Sequence, residues 1–296
     1  MDLHQLRVFR AAALHRSFTR AAQELRISQS TVSLHIKALE ENLGCILFLR
    51  ARRKVVLTAA GALLLDYAGR VLRDLNNAEM ALRELGTGQR GSVRLGAGAT
   101  TLMYRLLDCL SAYRRKFPGM EVIIETGTTE FLVQRLEAHR LDLAVIMLPV
   151  AARALRITPV ADDELVVALH RGHPASRKPA LTPADLAGLS FILYENRTVM
   201  QDVIDAWFQD LGVTPRITME LENIEAIKSL VRSGFGASVL PYCAVARPAR
   251  GETIRPLRVR GKPLYRRLAL ASLDAEAFPS PIRTLGEMVA SHLAGR

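Results

Sequence analysis

The chain has 296 residues, of which 49% are hydrophobic, and its formal net charge is +11. This length and apolar content predict a large core divided between two or more domains. No apolar run approaches the length of a membrane span, and the first ten residues lack the apolar core of a signal peptide. The three cysteines, Cys45, Cys109 and Cys243, are too widely spaced for a zinc site or a redox pair, which favours a reducing, cytoplasmic setting.

Positive charge is concentrated near the N-terminus. The first 57 residues hold ten lysines and arginines and four acidic residues, whereas the rest of the chain holds 30 and 25. A strongly basic segment joined to a nearly balanced body predicts a polyanionic partner at the basic end.

The first predicted elements are helical. Residues 2–14 predict an amphipathic helix with four inward-facing side chains, Leu3, Leu6, Phe9 and Ala13. The next stretch, FTRAAQELRISQSTVSLHIK from Phe18 to Lys37, predicts two short helices joined by a tight turn. The first of these would bury Ala21, Ala22 and Leu25, and Ile27 would fill the turn. Ser28 or Ser30 can cap the second helix, because a serine oxygen accepts from the free N–H groups of a first turn.

The second helix of this pair has two distinct faces. Its apolar stripe has the 3.6-residue period of an α-helix and comprises Val32, Ile36, Leu39 and Leu43. The other face is short and polar, with Lys37 as its only charge, and comprises Ser30, Ser33, Leu34 and Lys37. Such a face suits contact with base edges in a DNA major groove. An ordinary helical hairpin in a soluble core is the alternative.

A basic hairpin is predicted after Gly44, in CILFLRARRKVVLT. Two short strands would be anchored by Leu47 and Phe48 on one side and by Val55 and Leu57 on the other. Four cations crowd the turn between them, Arg50, Arg52, Arg53 and Lys54. They would repel one another unless an anion neutralised them, and a wing lying along a phosphate backbone meets that need. A solvated run of charges is the alternative.

A long helix is predicted over residues 59–86, capped by Thr58. Apolar residues recur along it at seven-residue spacing, with flanking members that continue the stripe: Leu57, Leu64, Tyr67, Val71, Leu75, Ala78, Leu82 and Leu85. A sustained heptad repeat is typical of a coiled-coil seam. The simplest partner is the same helix of a second copy, which predicts a two-fold homodimer and a roughly palindromic DNA site.

The glycine-rich segment GTGQRGS, from Gly86 to Ser92, predicts a domain boundary. From there strands alternate with helices, beginning with VRLGA and continuing to ASVLP. This alternation predicts α/β lobes built on parallel sheets with helices on both faces. About 200 residues of this pattern suit two lobes.

Two threonine pairs follow predicted strands and precede predicted helices, Thr100 and Thr101 in GAGATT and Thr128 and Thr129 in GTTE. GAGATT lacks the third glycine of a dinucleotide fingerprint. The positive ends of helices at these positions favour a carboxylate or another small anion. Because ligands of open parallel sheets bind beyond the carboxyl ends of the strands, the two pairs predict a ligand cleft.

No catalytic arrangement accompanies this cleft. The seven histidines lack metal-ligand spacing, and the chain contains no GxSxG or Walker A motif. Trp207 and Phe208 are predicted to be core residues, and GFG at Gly234–Gly236 a helix C-cap. We therefore predict neither an enzyme nor a metal or other cofactor. A cytosolic solute-binding protein or enzyme with an appended helical module, and a nucleoid-type DNA packer, are the alternatives.

The chain resembles the LysR-type transcriptional regulators over essentially its whole length. The resemblance is carried by LRVFRAAALHRSFTRAAQEL, ISQSTVSLHIKALEENLG, LFLR and IEAIKSLVRSGFGASVLP. It implies a winged helix-turn-helix (residues 1–58), a dimerising linker helix (59–86) and a two-lobed, periplasmic-binding-protein-like (type 2) effector domain (91–296). Lobe I would comprise residues 91–161 and 266–296, and lobe II residues 162–265. The family also implies a homotetramer, a small-molecule co-inducer and RNA polymerase as a further partner.

The same resemblance implies functional residues. Those that would face DNA are Ser28, Gln29, Ser30, Thr31, Ser33, Leu34, Lys37, Arg50, Arg52 and Arg53. Those that would line the effector cleft are Thr100, Thr101, Thr128, Thr129 and Thr198. Ser30 stands where the family often has proline, and Leu34 where it often has a basic residue. Leu34 offers an apolar contact to a thymine methyl group, so we expect an operator preference different from that of relatives.

Overall fold

A computed structural model of the chain describes residues 1–51, 54–85, 91–194, 198–246, 253–273 and 278–295. An N-terminal helical unit with a small hairpin comes first, a long helix follows it, and an α/β part completes the chain. Within these ranges no helix combines the length and the apolar character needed to cross a membrane.

The N-terminal unit contains α1 (Leu3–His15), α2 (Phe18–Leu25), α3 (Gln29–Leu43), β1 (Phe48–Ala51) and β2 (Lys54–Leu57). Each helix begins at a side chain that accepts a backbone N–H: Asp2 for α1, Ser17 for α2 and Ser28 for α3. The cap of α3 is thus Ser28 and not Ser30. Gly44 ends α3 with a φ of 66°, a left-handed conformation that favours glycine.

The core of this unit follows the predicted apolar faces, except that Leu25 is only half-buried and two other residues are exposed. Leu6, Phe9, Val32, Ile36 and Leu39 are all buried. The predictions that Leu3 and Leu43 face inward are wrong, because their exposed fractions are 42% and 37%. Both lie in a terminal turn of their helix, where the side chain extends past the neighbouring helices.

The long helix α4 (Ala59–Leu85) starts from a capped turn. Thr58 Oγ1 accepts from Gly61 N at 2.9 Å and donates to Ile46 O at 2.7 Å, so the predicted cap also fastens the helix to the preceding hairpin. Ala68 and Leu72 are buried in the N-terminal core. One face of α4 is therefore already covered by its own chain.

The described residues of the α/β part form nine strands and several helices. The strands are β3 (Gly91–Ala97), β4 (Met120–Thr126), β5 (Leu143–Leu148), β6 (Arg156–His170), β7 (Ser190–Tyr194), β8 (Arg216–Leu221), β9 (Ser238–Pro241), β10 (Ile254–Leu257) and β11 (Leu264–Ser272). The helices are α5 (Ala99–Thr101), a π-helical turn (Leu102–Leu106), α6 (Leu107–Lys116), α7 (Thr129–Glu137), a 3₁₀ turn (Pro174–Arg177), α8 (Pro183–Ala187), α9 (Val199–Asp210), α10 (Ile224–Arg232), α11 (Tyr242–Val245) and α12 (Ser280–Ala294).

The sheet is mixed, in contrast to the predicted parallel sheets. The seven-stranded sheet has the order β10-β6-β11-β5-β3-β4, with β9 also paired to β6, and β7 and β8 form a separate parallel pair. Strands β3, β4 and β5 are parallel as predicted. Strand β11 is antiparallel to both β5 and β6, because it carries the chain back from lobe II to lobe I.

Each lobe packs around its own hydrophobic core. The first, in lobe I, surrounds Leu95, Tyr113 and Leu285, and the second, in lobe II, contains Phe191 and Phe208. Trp207 packs in the second core, as predicted, and its indole N–H donates to Lys262 O at 3.0 Å. Gly234, with a φ of 81°, follows the end of α10, which confirms the predicted helix C-cap at GFG.

Candidate DNA-binding surface and effector cleft

Helix α3 presents its polar face to solvent. Leu34 is 67% exposed, Ser30 and Lys37 are also exposed, and Ser33 is half-buried. The opposite face of the helix is held by the buried stripe that includes Val32 and Ile36. A rigid helix thus carries an open, nearly uncharged surface of the size that enters a major groove.

Hydrogen bonds organise the first turn of α3. Ser28 Oγ lies 2.6 Å from Ser30 Oγ and 2.8 Å from Thr31 Oγ1, and it accepts from Thr31 N at 3.0 Å. Gln29 Nε2 donates to Ser33 Oγ at 3.0 Å. Ser28 and Thr31 therefore hold the turn together, while the Gln29 amide is placed beside Ser33 on the polar face.

Lys37 is the cation of this face. Its Nζ lies 3.6 Å from Glu41 Oε1, and both side chains are about two-thirds exposed. An exposed pair of this kind contributes little, on the order of 0–1 kcal/mol. The ammonium can therefore exchange this carboxylate for a DNA phosphate at small cost.

The hairpin of β1 and β2 is antiparallel, with Arg50 opposite Val55 and Ala51 opposite Lys54. Arg52 and Arg53, the predicted tip of the wing, lie outside the described residues. Glu40, which the sequence prediction did not single out, anchors the hairpin to α3. Its Oε1 accepts from Leu47 N at 2.7 Å and from Phe48 N at 3.2 Å.

Two residues of the predicted dimer seam contact the core of their own chain. Leu57 belongs to β2, and both Leu57 and Leu64 are half-buried against the N-terminal core. An exposed apolar stripe lies beside them on α4 and comprises Leu63 (61% exposed), Tyr67 (54%) and Val71 (43%).

Further along the same stripe, Leu75 is half-buried and Ala78 is exposed. The side chains of Leu82 and Leu85 lie outside the described residues. The sequence prediction named Leu64 and not Leu63, because Leu64 lies seven residues after Leu57 and seven residues before Val71.

A cavity of about 520 Å³ separates the two lobes, and all five predicted threonines line it. Thr100 and Thr101 follow β3 and Thr128 and Thr129 follow β4, whereas Thr198 lies at the start of α9 in the second lobe. The carboxyl ends of the parallel strands and the start of a helix from the opposite lobe thus meet at one cleft.

The hydroxyls of three of these threonines accept backbone N–H groups. Thr128 Oγ1 accepts from Phe131 N at 3.3 Å, Thr198 Oγ1 from Gln201 N at 3.2 Å, and Thr129 Oγ1 from Met147 N at 3.1 Å. A hydroxyl that accepts still has its own hydrogen to donate. The cleft wall therefore carries converging O–H donors.

Arg266, on β11, also lines the cleft and was not predicted. Its Nε and Nη2 donate to Asp163 Oδ2 at 2.9 and 2.7 Å, and Asp163 Oδ1 accepts from Arg105 Nη1 at 3.0 Å. All three side chains are buried. Asp163 thus accepts from two guanidinium groups, and one of them, Arg266, reaches the cleft.

Three further polar side chains line the cleft: Thr126, Tyr194 and Glu222. The Tyr194 hydroxyl is buried close to Thr100 without a hydrogen bond of normal geometry, and burial raises the pKa of Tyr194 well above its usual range. Tyr194 is therefore a neutral donor. The cleft wall thus also holds one carboxylate, Glu222, and one guanidinium group, Arg266, whose charge is paired with Asp163.

The cysteines lie apart from the cleft and are free, with Cys109 buried and Cys45 and Cys243 half-buried. Burial and the nearby Asp163 carboxylate raise the pKa of Cys243 to about 11, which keeps the thiol protonated and unreactive. Among the described residues no group of His, Cys, Asp and Glu side chains is arranged to hold a metal ion.

Two protein-family models match the chain. Residues 3–62 match one described as "Bacterial regulatory helix-turn-helix protein, lysR family", and residues 86–294 match "LysR substrate binding domain". A "Probable RuBisCO transcriptional regulator" of Guillardia theta is 34% identical over 274 residues, covering 90% of this chain and 88% of its own. The "RuBisCO operon transcriptional regulator" of Allochromatium vinosum is 32% identical, with 94% of each chain covered. Full-length CbnR complexed with its target DNA is 25% identical, with a TM-score of 0.68, and 99% of this chain and 100% of that chain are covered.

Proposed function

This chain belongs to the LysR family of transcriptional regulators, and from that premise we propose that its α3 face reads one operator under the control of an anion bound between the lobes. The observation that carries the proposal is the pairing of two features in one chain. One is the exposed face of α3 with Gln29, Ser30, Ser33 and Leu34; the other is the threonine-lined cleft.

The proposed DNA contacts are of two kinds, contacts to base edges and contacts to phosphates. Gln29, Ser30 and Ser33 can donate to and accept from base edges, and Leu34 offers an apolar surface to a thymine methyl group. Lys37 and the wing cations Arg50, Arg52 and Arg53 supply charge to phosphates, which gives affinity without sequence preference. Ser28 and Thr31 support the reading face by holding the first turn of α3.

The active species is a homodimer that assembles further into a tetramer. The exposed stripe of Leu63, Tyr67 and Val71 supports the dimer, because a coiled-coil seam buries such a stripe against its two-fold mate. Two copies of α3 then meet two half-sites of a near-palindromic operator. The regulator acts in the cytoplasm and communicates with RNA polymerase at the promoter.

The effector is a small carboxylate or a similar anion. It would accept hydrogen bonds from Thr100, Thr128 and Thr198, which lie on both lobes, and would be drawn in by the charge of Arg266. A ligand shifts an equilibrium only through different affinities for its two states. An anion that touches both lobes favours the closed arrangement, and β6 and β11 carry that change between the lobes.

A footprint on DNA tests the reading function. The purified chain should protect one discrete site with two-fold symmetry when it is tested on the DNA between its own gene and the adjacent one. The names of the relatives make a RuBisCO promoter a second DNA to test. Protection that spreads evenly along any DNA would instead identify a DNA-packing protein.

A ligand screen tests the cleft. Small carboxylates and aromatic acids should raise the unfolding temperature of the full chain, and Thr100→Val should reduce that rise. Thr214→Val is the matched control, since Thr214 is exposed and lies outside the cleft. Equal shifts in the two variants would place the ligand elsewhere, and turnover of a ligand would revive an enzymatic role.

A further inference from the structure

A second cavity lies where the three parts of the chain meet. Its volume is about 250 Å³, and four arginines line it, Arg7, Arg10, Arg73 and Arg94. Two of them come from α1, one from α4 and one from β3. The N-terminal unit, the linker helix and the effector domain therefore all contribute a cation to the same small space.

Two carboxylates lie near the four guanidinium groups. Glu24, the one carboxylate among the described lining residues, already contacts His15 Nε2, and the buried Asp142 lies near Arg73 and Arg94. Burial lowers the pKa of Arg10, and the neighbouring charge of Arg94 lowers it further. Like charges held this close repel one another unless an anion lies between them.

Two residues of the cavity wall each contain a buried nitrogen that lacks a hydrogen-bond partner. Arg73 Nε is one, and the nearest carboxylate oxygen, on Asp74, lies 4.0 Å away. His139 Nδ1 is the other, in a side chain that is only 4% exposed. His139 Nε2 accepts from Arg70 Nε at 3.2 Å, so the ring hydrogen lies on Nδ1 and that nitrogen is an unused donor.

Buried donors in folded proteins are nearly always paired with a protein group, a water or a ligand. Guanidinium groups match the oxygens of phosphate particularly well, because their planar N–H forks bind two oxygens at once. A cavity that combines four such groups with a neutral imidazole donor has the chemistry of a phosphate site.

We propose that this junction cavity binds a small polyanion of the phosphate type, such as inorganic phosphate, pyrophosphate or the phosphate groups of a metabolite. The site is separate from the cleft between the lobes. Because its walls belong to all three parts of the chain, a bound anion stabilises the arrangement in which the N-terminal unit rests on the effector domain. The proposal does not depend on the effector assigned to the cleft.

Calorimetric titration of the full chain with pyrophosphate, at ionic strength fixed with KCl, tests the site. Arg73→Gln and Arg10→Gln should each weaken binding by about tenfold, since each removes a charge-assisted contact. Glu24→Gln should strengthen binding, because it removes the opposing carboxylate. A merely structural role for Glu24 would not produce that gain, and the exposed position of this residue keeps the variant folded.

Arg283→Gln is the matched control, with the same loss of charge at an exposed position on α12. It should leave pyrophosphate affinity unchanged. The proposal is overturned if pyrophosphate does not bind or if Arg283→Gln weakens it as much as Arg73→Gln does. Loss of binding in Thr100→Val alone would also overturn it, by assigning the anion to the cleft. One-for-one displacement by operator DNA would overturn it by identifying the occupant as a DNA phosphate.

Discussion

Asp163→Asn should destabilise the effector domain severely. Asp163 is 2% exposed and accepts from two buried arginines, Arg105 at 3.0 Å and Arg266 at 2.7 and 2.9 Å. Asparagine keeps the shape of the side chain but removes its charge. Two guanidinium groups would then remain buried without their shared carboxylate.

The expected magnitude follows from burial. Removing one partner of a buried ion pair costs about 3–5 kcal/mol, because the remaining charge stays desolvated. For a domain of about 200 residues, each kcal/mol lowers the unfolding temperature by about 2–4 °C. The Asp163→Asn variant should therefore unfold roughly 6 to 20 °C below the wild type.

The neighbouring residue provides the control. Asp162 pairs with Arg267 at 3.0 Å, but both side chains are more than half exposed, so Asp162→Asn should cost less than about 1 kcal/mol. Thermal unfolding followed by circular dichroism would compare the two variants. Equal, small shifts for Asp162→Asn and Asp163→Asn would refute the account of the buried network.

The other predictions concern DNA, assembly and pH. Lys37→Ala should weaken binding to every DNA sequence and reduce the slope of log binding constant against log salt concentration by about one. Ser33→Ala should instead alter sequence preference. Anisotropy titrations at several salt concentrations would distinguish the two effects. Val71→Glu should dissociate the dimer in analytical ultracentrifugation, and Ala62→Glu, at an exposed position off the apolar stripe, should not. Burial, and next the charge of Arg73, lower the pKa of His139 from 6.5 to about 4. As the pH falls, His139 therefore becomes protonated in the unfolded chain before it does in the folded chain. Stability should therefore fall between pH 6.5 and 4, by about 2 kcal/mol at pH 5, and urea unfolding of His139→Gln should show a weaker pH dependence.

Features set by local periodicity could be predicted from the sequence. The spacing of Val32, Ile36 and Leu39 identifies the buried face of α3 and leaves Leu34 and Lys37 on the other face. Strand–helix alternation likewise identifies the α/β class, and the threonine pairs after two strands identify one wall of the cleft. In each case the signal lies within a few residues of the feature it predicts.

Features set by long-range packing could not be predicted. Arg266 and Asp163 are about a hundred positions apart and meet only because β11 returns antiparallel to β6. The contrast between the exposed Leu63 and the half-buried Leu64 depends on the N-terminal core, against which Leu64 packs. The junction cavity requires Arg10 and Arg94, from separate domains, to face one another.

The central claim is that one chain couples an anion in the cleft to operator reading by α3. The most direct measurement is the operator dissociation constant with and without the anion found by the ligand screen, for the wild type and for Thr100→Val. The account predicts that the anion changes the wild-type constant by about fivefold or more, as is typical of allosteric coupling. It also predicts that Thr100→Val binds the operator normally and loses most of that change. An undiminished response in Thr100→Val, or no response in the wild type, would contradict the account.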